Sequence, residues 1–330
     1  MKYLNIIYSL LILFILISCK DGNNTEIQDE YAEFKIKPDY LANPTKEQKA
    51  YFEAYDKTLE KWGIEYDELY VTTSKGIAHI VLTGPKNGVP LVLMHGMSAS
   101  SSMWYPNAMA LAKEYRLFAI DLIIEPGKSY KTADFKNLKE VTEGYQEILW
   151  ALKLDSFHLV GASRGGWLAI DLALKSHRDI RSIILLSPAQ TIAWIPPSTG
   201  LVKNILNVFS SQEKSVERTL ETMSVDAHNL DASYREQYHL GIKSDSLSNM
   251  AVQMTPFSNK DLKSLKMPVL VLIGDEDIIN PKRTIRLTEK HIPKGQGEII
   301  ENAGHFLSVE QADKVNLKML NFLRNVEKNR

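Results

Sequence analysis

The sequence FHLVGASRGG at residues 157–166 decides the fold. It opens with an apolar stretch typical of a buried strand and continues into a helical segment that reaches Ser176. Between strand and helix lies a G-x-S-x-G motif centred on Ser163, and this setting makes the motif informative. Gly161 and Gly165 leave room for a sharp turn, while the helix N-terminus directs free N–H groups at developing negative charge. The motif predicts a nucleophilic Ser163, with a purely structural turn as the alternative.

Apolar runs as continuous as this one recur along the chain. They fall at residues 90–94, 117–120, 157–160, 182–186 and 269–273. Runs without polar alternation indicate strands buried on both faces, which is typical of parallel sheets. Apolar residues at helical spacing lie between the runs, and the predicted helices span residues 105–115, 138–154 and 165–176. Strands that alternate with helices predict an α/β fold with a mostly parallel, doubly wound sheet.

Other elements precede and interrupt this alternation. A hairpin with strands at residues 69–73 and 78–83 comes first, and a helix capped by Thr45 is predicted before it. About eighty residues separate the runs 182–186 and 269–273, and their amphipathic stretches predict a helical insertion. Those stretches span residues 201–209, 216–223 and 234–242. A helix from Pro281, a strand at 298–300 and a final helix at 309–326 complete the prediction.

A serine hydroxyl needs a base to become a nucleophile, and His305 is placed to supply it. It lies in a glycine-containing loop after a late strand, whereas most of the other seven histidines lie in strands, at helix ends or in the insertion. The alternative for His305 is a surface histidine. An acid must orient the base, and the sequence GDED at residues 274–277 follows a buried strand. Asp277 is the predicted acid because the loop turns there; Asp275 remains the alternative.

The loop that follows the run 90–94 predicts the groups that hold a developing oxyanion. Acyl transfer needs backbone N–H donors, and the candidates are those of Met97 and Arg164. His95 is predicted to be structural and, with Gly96, to turn the loop. The serine-rich run 98–102 is predicted to be polar and flexible and to shape the mouth of a pocket.

These motifs together resemble the α/β-hydrolase superfamily, in order and at its spacing, over roughly residues 66–322. They are His95-Gly96, residues 161–165, residues 274–277 and Gly304-His305. The resemblance implies eight mostly parallel strands, with a helical cap inserted after the sixth. Within the superfamily, the stretch from WYPN at 104–107 through FAID at 118–121 is similar to bacterial carboxylesterases of the naproxen-esterase type.

The sequence departs from the superfamily pattern at two places. Where many members carry D-x-x-G-x-G-x-S after the second buried run, this chain has DLIIEPGKS at residues 121–129. Arg164 replaces the more usual hydrophobic residue beside the nucleophile. If its guanidinium reached the pocket, it would favour an acidic substrate; the alternative is that it points elsewhere.

The resemblance implies a serine hydrolase that cleaves a carboxylic ester through an acyl-enzyme, with a small-molecule ester as substrate and no metal or organic cofactor. Hydrolysis of an amide, a thioester or a carbon–carbon bond by the same triad stays open, as does a non-catalytic lipoprotein that only binds a ligand. Specificity is expected from the cap. The candidate cap residues are Trp194, Phe209, Met223, Tyr234 and Tyr238; the alternative is that they form the cap's own core.

The N-terminus is different in kind from the rest of the chain. Lys2 precedes an apolar run to Ile17 that is too short for a comfortable membrane span and fits a signal peptide. The run ends in LISC, which resembles a bacterial lipobox and implies cleavage before Cys19 and lipidation of it. Because Cys19 is the only cysteine, an intrachain disulfide is excluded. We expect an exported, membrane-anchored lipoprotein of the cell envelope; an ordinary cysteine after an N-terminal membrane helix is the alternative.

Composition limits the partners and sets the domain plan. With 39 basic and 40 acidic residues, the net charge of −1 gives no reason to expect nucleic acid as a partner. Oligomeric state cannot be deduced. The predicted plan is a signal peptide (1–18), a tether and N-terminal helix (19–65), a first part of the hydrolase core (66–190), a helical cap (191–265) and a second part of the core (266–330).

Overall fold

The computed structural model describes residues 29–196, 213–244 and 253–330. The chain divides into two units, Met1–Glu33 and Phe34–Arg330, and the sheet belongs to the second. The predicted signal peptide, the lipidation residue Cys19, most of the predicted tether and the stretch 201–209 with Phe209 lie outside the described residues. Within the described ranges, no helix combines the length and apolar character that crossing a bilayer requires.

A nine-stranded sheet forms the centre of the second unit. The strands are β1 (Asp67–Thr73), β2 (Gly76–Thr83), β3 (Val89–Met94), β4 (Tyr115–Ile120), β5 (Tyr130–Lys131), β6 (Ser156–Ala162), β7 (Asp179–Leu186), β8 (Val269–Gly274) and β9 (Gly295–Ile300). Their order is β1-β2-β4-β3-β6-β7-β8-β9, with β5 paired to β2. The pairs β1–β2, β2–β4 and β2–β5 are antiparallel, and the neighbours from β4 to β9 are parallel. The mostly parallel sheet predicted from the apolar runs is therefore confirmed.

The ninth strand is the one departure from the predicted eight. It consists of Tyr130 and Lys131 alone, and both are exposed. Two exposed residues carry no periodic signal in a sequence, because strand patterns need at least four residues. The eight longer strands correspond to the predicted set.

Helices cover the sheet on both faces. Those of the described residues are α1 (Asp39–Ala42), α2 (Lys46–Leu59), α3 (Ala108–Leu111), α4 (Leu138–Ala151), α5 (Arg164–Lys175), α6 (Glu213–Met223), α7 (Ala232–Ser244), α8 (Asn259–Ser264), α9 (Arg283–His291), α10 (Leu307–Glu310) and α11 (Ala312–Lys328). Thr45 caps α2 in a capping box with Gln48. The helix α2 buries Tyr55 and Leu59 in the core and packs against α7.

Two helix predictions were wrong in extent. The helix predicted at 105–115 is only α3, because Tyr115 already pairs with Val89 as the first residue of β4. The helix predicted at 309–326 is divided into α10 and α11 at Gln311, whose backbone leaves the helical region at φ −126° and ψ 45°. At Tyr115, strand pairing overrides the local helical pattern.

The parallel arrangement brings four loops to one edge of the sheet. Ser163 follows β6, and Met94 at the end of β3 lies opposite Gly161 in the register of these two strands. The acidic loop follows β8, and His305 follows β9. Since parallel strands end at the same edge, residues more than 140 positions apart meet there.

Candidate active site

The turn that carries Ser163 is strained and tightly packed. Ser163 has φ 49° and ψ −113°, a backbone conformation rarely adopted by a residue with a side chain. A Cβ on Gly161 would lie 2.3 Å from the carbonyl oxygen of Gly165, and one on Gly165 would lie 2.2 Å from the carbonyl oxygen of Met94. Both positions therefore require glycine. The turn lifts the serine hydroxyl at the N-terminus of α5, where N–H groups lack helical partners.

Three side chains form a hydrogen-bonded chain at this edge. The hydroxyl of Ser163 lies 2.9 Å from Nε2 of His305, and Nδ1 of His305 lies 3.1 Å from Oδ1 of Asp277. An ionised carboxylate can only accept, so Nδ1 carries the proton and Nε2 is free to accept from the hydroxyl. The side chain of His305 is 8% exposed and that of Asp277 is fully buried.

Asp277 is held in its ionised form by its surroundings. Burial alone would raise the pKa of Asp277, but the facing His305 and the hydrogen bonds from Asn280 and Ile279 bring it below its ordinary value. The amide of Asn280 donates to Oδ2 at 2.9 Å, and the backbone N–H of Ile279 donates to Oδ1 at 2.8 Å. These bonds fix the carboxylate toward the imidazole.

Asp275, the alternative acid, has a different task in the structure. Its Oδ1 accepts the backbone N–H of Ala303 at 3.1 Å, and its own N–H donates to the carbonyl of Ile300 at 3.0 Å. These bonds tie the acidic loop to the loop that carries His305. A carboxylate bound to backbone in this way is a structural link between two loops.

The loop after β3 lies directly against the nucleophile. A Cβ on Gly96 would be 3.3 Å from Cβ of Ser163, so the Gly96–Met97 turn is adjacent to the reacting hydroxyl. Nδ1 of His95 donates to the carbonyl of Gly96 at 2.8 Å, and Nε2 accepts the N–H of Leu122 at 2.8 Å. Burial lowers the pKa of His95 to about 4, which keeps it neutral. His95 thus fixes the turn and does not reach Ser163.

The guanidinium of Arg164 points away from the position that would select an acidic substrate. It forms a buried ion pair with Glu125, and its Nη2 lies 3.2 Å from Sδ of Met97. The alternative that Arg164 points elsewhere is therefore correct.

The serine-rich run 98–102 differs from the flexible run predicted, because its four serines are buried. They are Ser98, Ser100, Ser101 and Ser102.

A small cavity of about 60 Å³ opens beside Ser163. Three of the predicted cap residues line it, namely Met223, Tyr234 and Tyr238. Trp194 does not line this cavity: it is 57% exposed, and its carbonyl accepts from Arg283 at 3.3 Å. Most of the cavity surface is apolar, which favours an uncharged group next to the hydroxyl.

Glu310 joins the cap to the loop of His305. Its Oε2 accepts the N–H of Gly304 at 2.9 Å, and its Oε1 accepts the N–H of Val225 at 2.5 Å. Next to these bonds, the N–H of His305 donates to the carbonyl of Met223 at 2.7 Å. Burial raises the pKa of Glu310, although these N–H groups oppose the shift.

Sequence reasoning did not identify three of the supporting residues: Glu125, Asn280 and Glu310. The replacement of the superfamily loop at residues 121–129 was a signal for Glu125, but Asn280 and Glu310 act through contacts that no local pattern marks. Among the described residues, no group of three or more His, Cys, Asp or Glu side chains is arranged to hold a metal ion.

A strained serine elbow at the end of a parallel strand, with a histidine and an aspartate from later loops, defines the class of α/β-fold serine hydrolases. The chain belongs to the alpha/beta hydrolase family, whose model matches residues 91–316. Carboxylesterase YbfK of Bacillus subtilis (strain 168) is 30% identical over 280 residues, which cover 83% of this chain and 93% of that protein.

Solved structures agree with this assignment. The crystal structure of naproxen esterase from Bacillus subtilis aligns with a TM-score of 0.78 at 27% identity, over 84% of this chain and 99% of that one. The crystal structure of carboxylesterase CesB (YbfK) from the same organism aligns with a TM-score of 0.78 at 28% identity over the same shares. The resemblance to carboxylesterases seen in the sequence is thereby confirmed for the hydrolase core.

Proposed function

We propose that this protein is a serine esterase that hydrolyses a small carboxylic ester through an acyl-enzyme. The observation that carries the proposal is the chain of contacts from Ser163 to His305 and on to Asp277, at 2.9 and 3.1 Å. The distances lie within the reach needed for proton transfer. The carboxylesterases among the relatives support an ester as the bond cleaved.

Each residue of the site has a step in the proposed reaction. Oγ of Ser163 attacks the ester carbonyl as its proton passes to Nε2 of His305, and Asp277 stabilises the imidazolium. The backbone N–H groups of Met97 and Arg164 hold the oxyanion. The tetrahedral adduct expels the alcohol, which takes the proton from His305. Water, deprotonated by the same Nε2, then hydrolyses the acyl-enzyme and regenerates the serine.

Labelling with a fluorophosphonate probe tests the proposal. We expect the wild type to be modified at Ser163, and Ser163→Ala to be unmodified while it folds normally. As a matched control, Ser187→Ala removes another buried serine at a strand end and should leave labelling intact. An unreactive wild type would contradict the proposal and favour a ligand-binding protein. Rates on p-nitrophenyl acetate, a thioester and an anilide then separate the bond types; hydrolysis of only the anilide or thioester would replace the ester assignment.

We also propose that the enzyme is an exported lipoprotein, held at a membrane through Cys19 and placed in the cell envelope. The lipobox-like sequence before this single cysteine supports the proposal. Several acyl chains would bind a bilayer firmly, at about 0.8 kcal/mol per buried methylene. Metabolic labelling with a fatty acid in a bacterial host should mark the wild type and not Cys19→Ala. A label that persists in the variant would contradict this anchor.

A further inference from the structure

The two departures from the superfamily pattern contact each other. Glu125 lies in the loop after β4 and Arg164 lies in the serine elbow, 39 positions later. Their side chains form an ion pair that is almost completely buried, with exposures of 0% for Glu125 and 6% for Arg164. Two unusual residues at separate places in the sequence are therefore one structural feature.

The pair also contacts the loop that carries the first proposed oxyanion donor. Oε2 of Glu125 accepts the backbone N–H of Ser98 at 2.7 Å, and Nη2 of Arg164 lies 3.2 Å from Sδ of Met97. Ser98 has φ 57°, a left-handed conformation that a residue with a side chain adopts at a cost. A strained residue keeps such a conformation only when its surroundings hold it, and here Glu125 binds its N–H directly.

The second proposed donor belongs to the same unit, because it is the backbone N–H of Arg164 itself. The ion pair thus connects the Met97–Ser98 turn to the first residue of α5. Catalysis by an oxyanion hole depends on donors that are already in place when the charge develops. A link between the two donor segments fixes their separation.

We propose that the Glu125–Arg164 ion pair is a positioning device for the oxyanion hole, which holds the N–H groups of Met97 and Arg164 at the separation the tetrahedral intermediate requires. This inference rests on the proposed ester hydrolysis. Neither residue lines the cavity beside Ser163, and the charge of Arg164 is neutralised by Glu125 within the protein.

A double variant separates positioning from folding. Removing one member alone leaves an unpaired buried charge, which destabilises the protein whether or not the pair positions the oxyanion donors. Glu125→Leu combined with Arg164→Met removes both charges of the pair together, and apolar replacements of this kind often preserve folding. The variant nevertheless removes the acceptor from the N–H of Ser98. Arg164→Lys is the conservative variant for comparison, since it retains a positive charge opposite Glu125.

Steady-state kinetics on p-nitrophenyl acetate, corrected for competent sites by burst titration, provide the test. We expect the double variant to unfold near the wild-type temperature and to lose kcat about 10- to 100-fold, less than when a donor is removed outright. KM should change less than about twofold. The inhibition constant of phenylboronic acid, whose tetrahedral adduct on Ser163 mimics the intermediate, should rise by the same factor as kcat falls. Arg164→Lys, which retains a charge opposite Glu125, should lose less kcat than the double variant does.

A second ion pair serves as control. Arg181 donates to Glu327 at 2.6 Å near the amino end of β7, at the opposite edge of the sheet, so Arg181→Met with Glu327→Leu should leave kcat unchanged. A folded Glu125/Arg164 double variant with wild-type kcat per competent site overturns the inference while the esterase assignment stands. The inference is also overturned if KM and the inhibition constant of phenylboronic acid rise by the same factor while kcat is unchanged. A wild type without esterase activity contradicts both the esterase assignment and this inference.

Discussion

At the scale of single residues, Asp275 and Asp277 show how one loop gives two aspartates different chemistry. The carboxylate of Asp277 is buried and faces His305, whereas that of Asp275 is half-exposed and accepts a backbone N–H. The pKa of each is lowered, but burial opposes the shift and the partners that lower it differ: an imidazole and two backbone or amide donors for Asp277, backbone N–H groups for Asp275.

Replacing each aspartate by asparagine distinguishes their tasks. In Asp277→Asn the amide cannot stabilise the imidazolium and favours the wrong imidazole tautomer, so we expect kcat to fall roughly 10³- to 10⁴-fold. In Asp275→Asn the amide oxygen still accepts the N–H of Ala303, and kcat should stay within about threefold of wild type. Ester hydrolysis at pH 7 measures both. If kcat fell further in Asp275→Asn than in Asp277→Asn, Asp275 would be the catalytic acid and Asp277 the structural link.

Ser163 and His305 could be predicted from local patterns. Ser163 lies in a glycine-flanked turn between a strand and a helix, and His305 lies in a glycine-containing loop after a late strand. In both cases neighbouring residues carry the pattern. The choice between Asp275 and Asp277 could not be settled in this way. It depends on the direction each side chain takes in a folded loop, and here that direction is set by bonds to Ile279, Asn280 and Ala303.

At the scale of elements, the cap is joined to the sheet edge by polar contacts. Gln237 of α7 accepts from Ser102 at 2.7 Å and donates to Ser100 at 2.6 Å, so it connects the cap to the loop after β3. Glu310 connects the segment after α6 to the loop of His305. Apolar patterns predicted helices where α6 and α7 lie but could not predict these contacts, which depend on how the elements pack.

Glu310→Gln tests the second of these contacts. One oxygen of the carboxylate becomes an NH₂ group that cannot accept, so one backbone N–H at Val225 or Gly304 loses its partner. We expect a loss of about 0.5–1.5 kcal/mol in the free energy of unfolding, the usual net contribution of one hydrogen bond, because the bond to Val225 is exposed and the bond to Gly304 is partly buried. Amide hydrogen exchange should become faster at whichever of Val225 and Gly304 loses its acceptor.

Glu301→Gln is the matched control for this change, since Glu301 is an exposed residue near the same loop. It should alter neither the stability nor the exchange rates. Unchanged exchange at both Val225 and Gly304 in Glu310→Gln would mean that Glu310 does not hold the cap to the histidine loop.

At the scale of the whole molecule, a buried charged network connects the antiparallel edge of the sheet to its centre. His79 is completely buried, with Nδ1 2.9 Å from Asp121 and Nε2 3.0 Å from Glu68. Lys128 pairs with Glu68 and, at 2.6 Å, with Asp56. Asp121 also accepts the N–H of Ser101 at 2.7 Å, which reaches the loop beside the nucleophile.

The mostly parallel sheet and the positions of its parallel strands in the chain could be predicted, because strands buried on both faces are continuous apolar runs. The buried charged network could not be predicted in this way. The members of the network are up to 60 positions apart in the sequence: Glu68, His79, Asp121 and Lys128. Considered alone, each looks like an ordinary surface or strand residue. The same is true of Glu125 and Arg164, whose ion pair forms only when β4 and β6 pair with β3 on its two sides.

The network gives stability a defined dependence on pH. Burial alone would raise the pKa of Glu68, but the hydrogen bond and charge of His79 and the charge of Lys128 lower it to about 2. A carboxylate with a lowered folded-state pKa stabilises the protein above its unfolded pKa, and this contribution is lost as pH falls toward the folded value. The pKa of His79 is raised: burial would lower it, and Asp121 and Glu68 outweigh burial. Its contribution is therefore complete at low pH and fades as pH rises through its folded-state pKa.

Glu68→Gln should reveal the acid side of this dependence. A shift from about 4.5 to about 2 corresponds to a stability difference on the order of 3 kcal/mol between wild type and variant near pH 6. The difference should shrink as pH falls from 4.5 toward 2, because the wild-type carboxyl then becomes protonated in the folded state too. Urea unfolding at a series of pH values measures it, with Glu53→Gln on the exposed face of α2 as control. A difference that stays constant between pH 6 and pH 3 would show that the charge of Glu68 contributes nothing, and that only its shape and neutral hydrogen bonds matter to the fold.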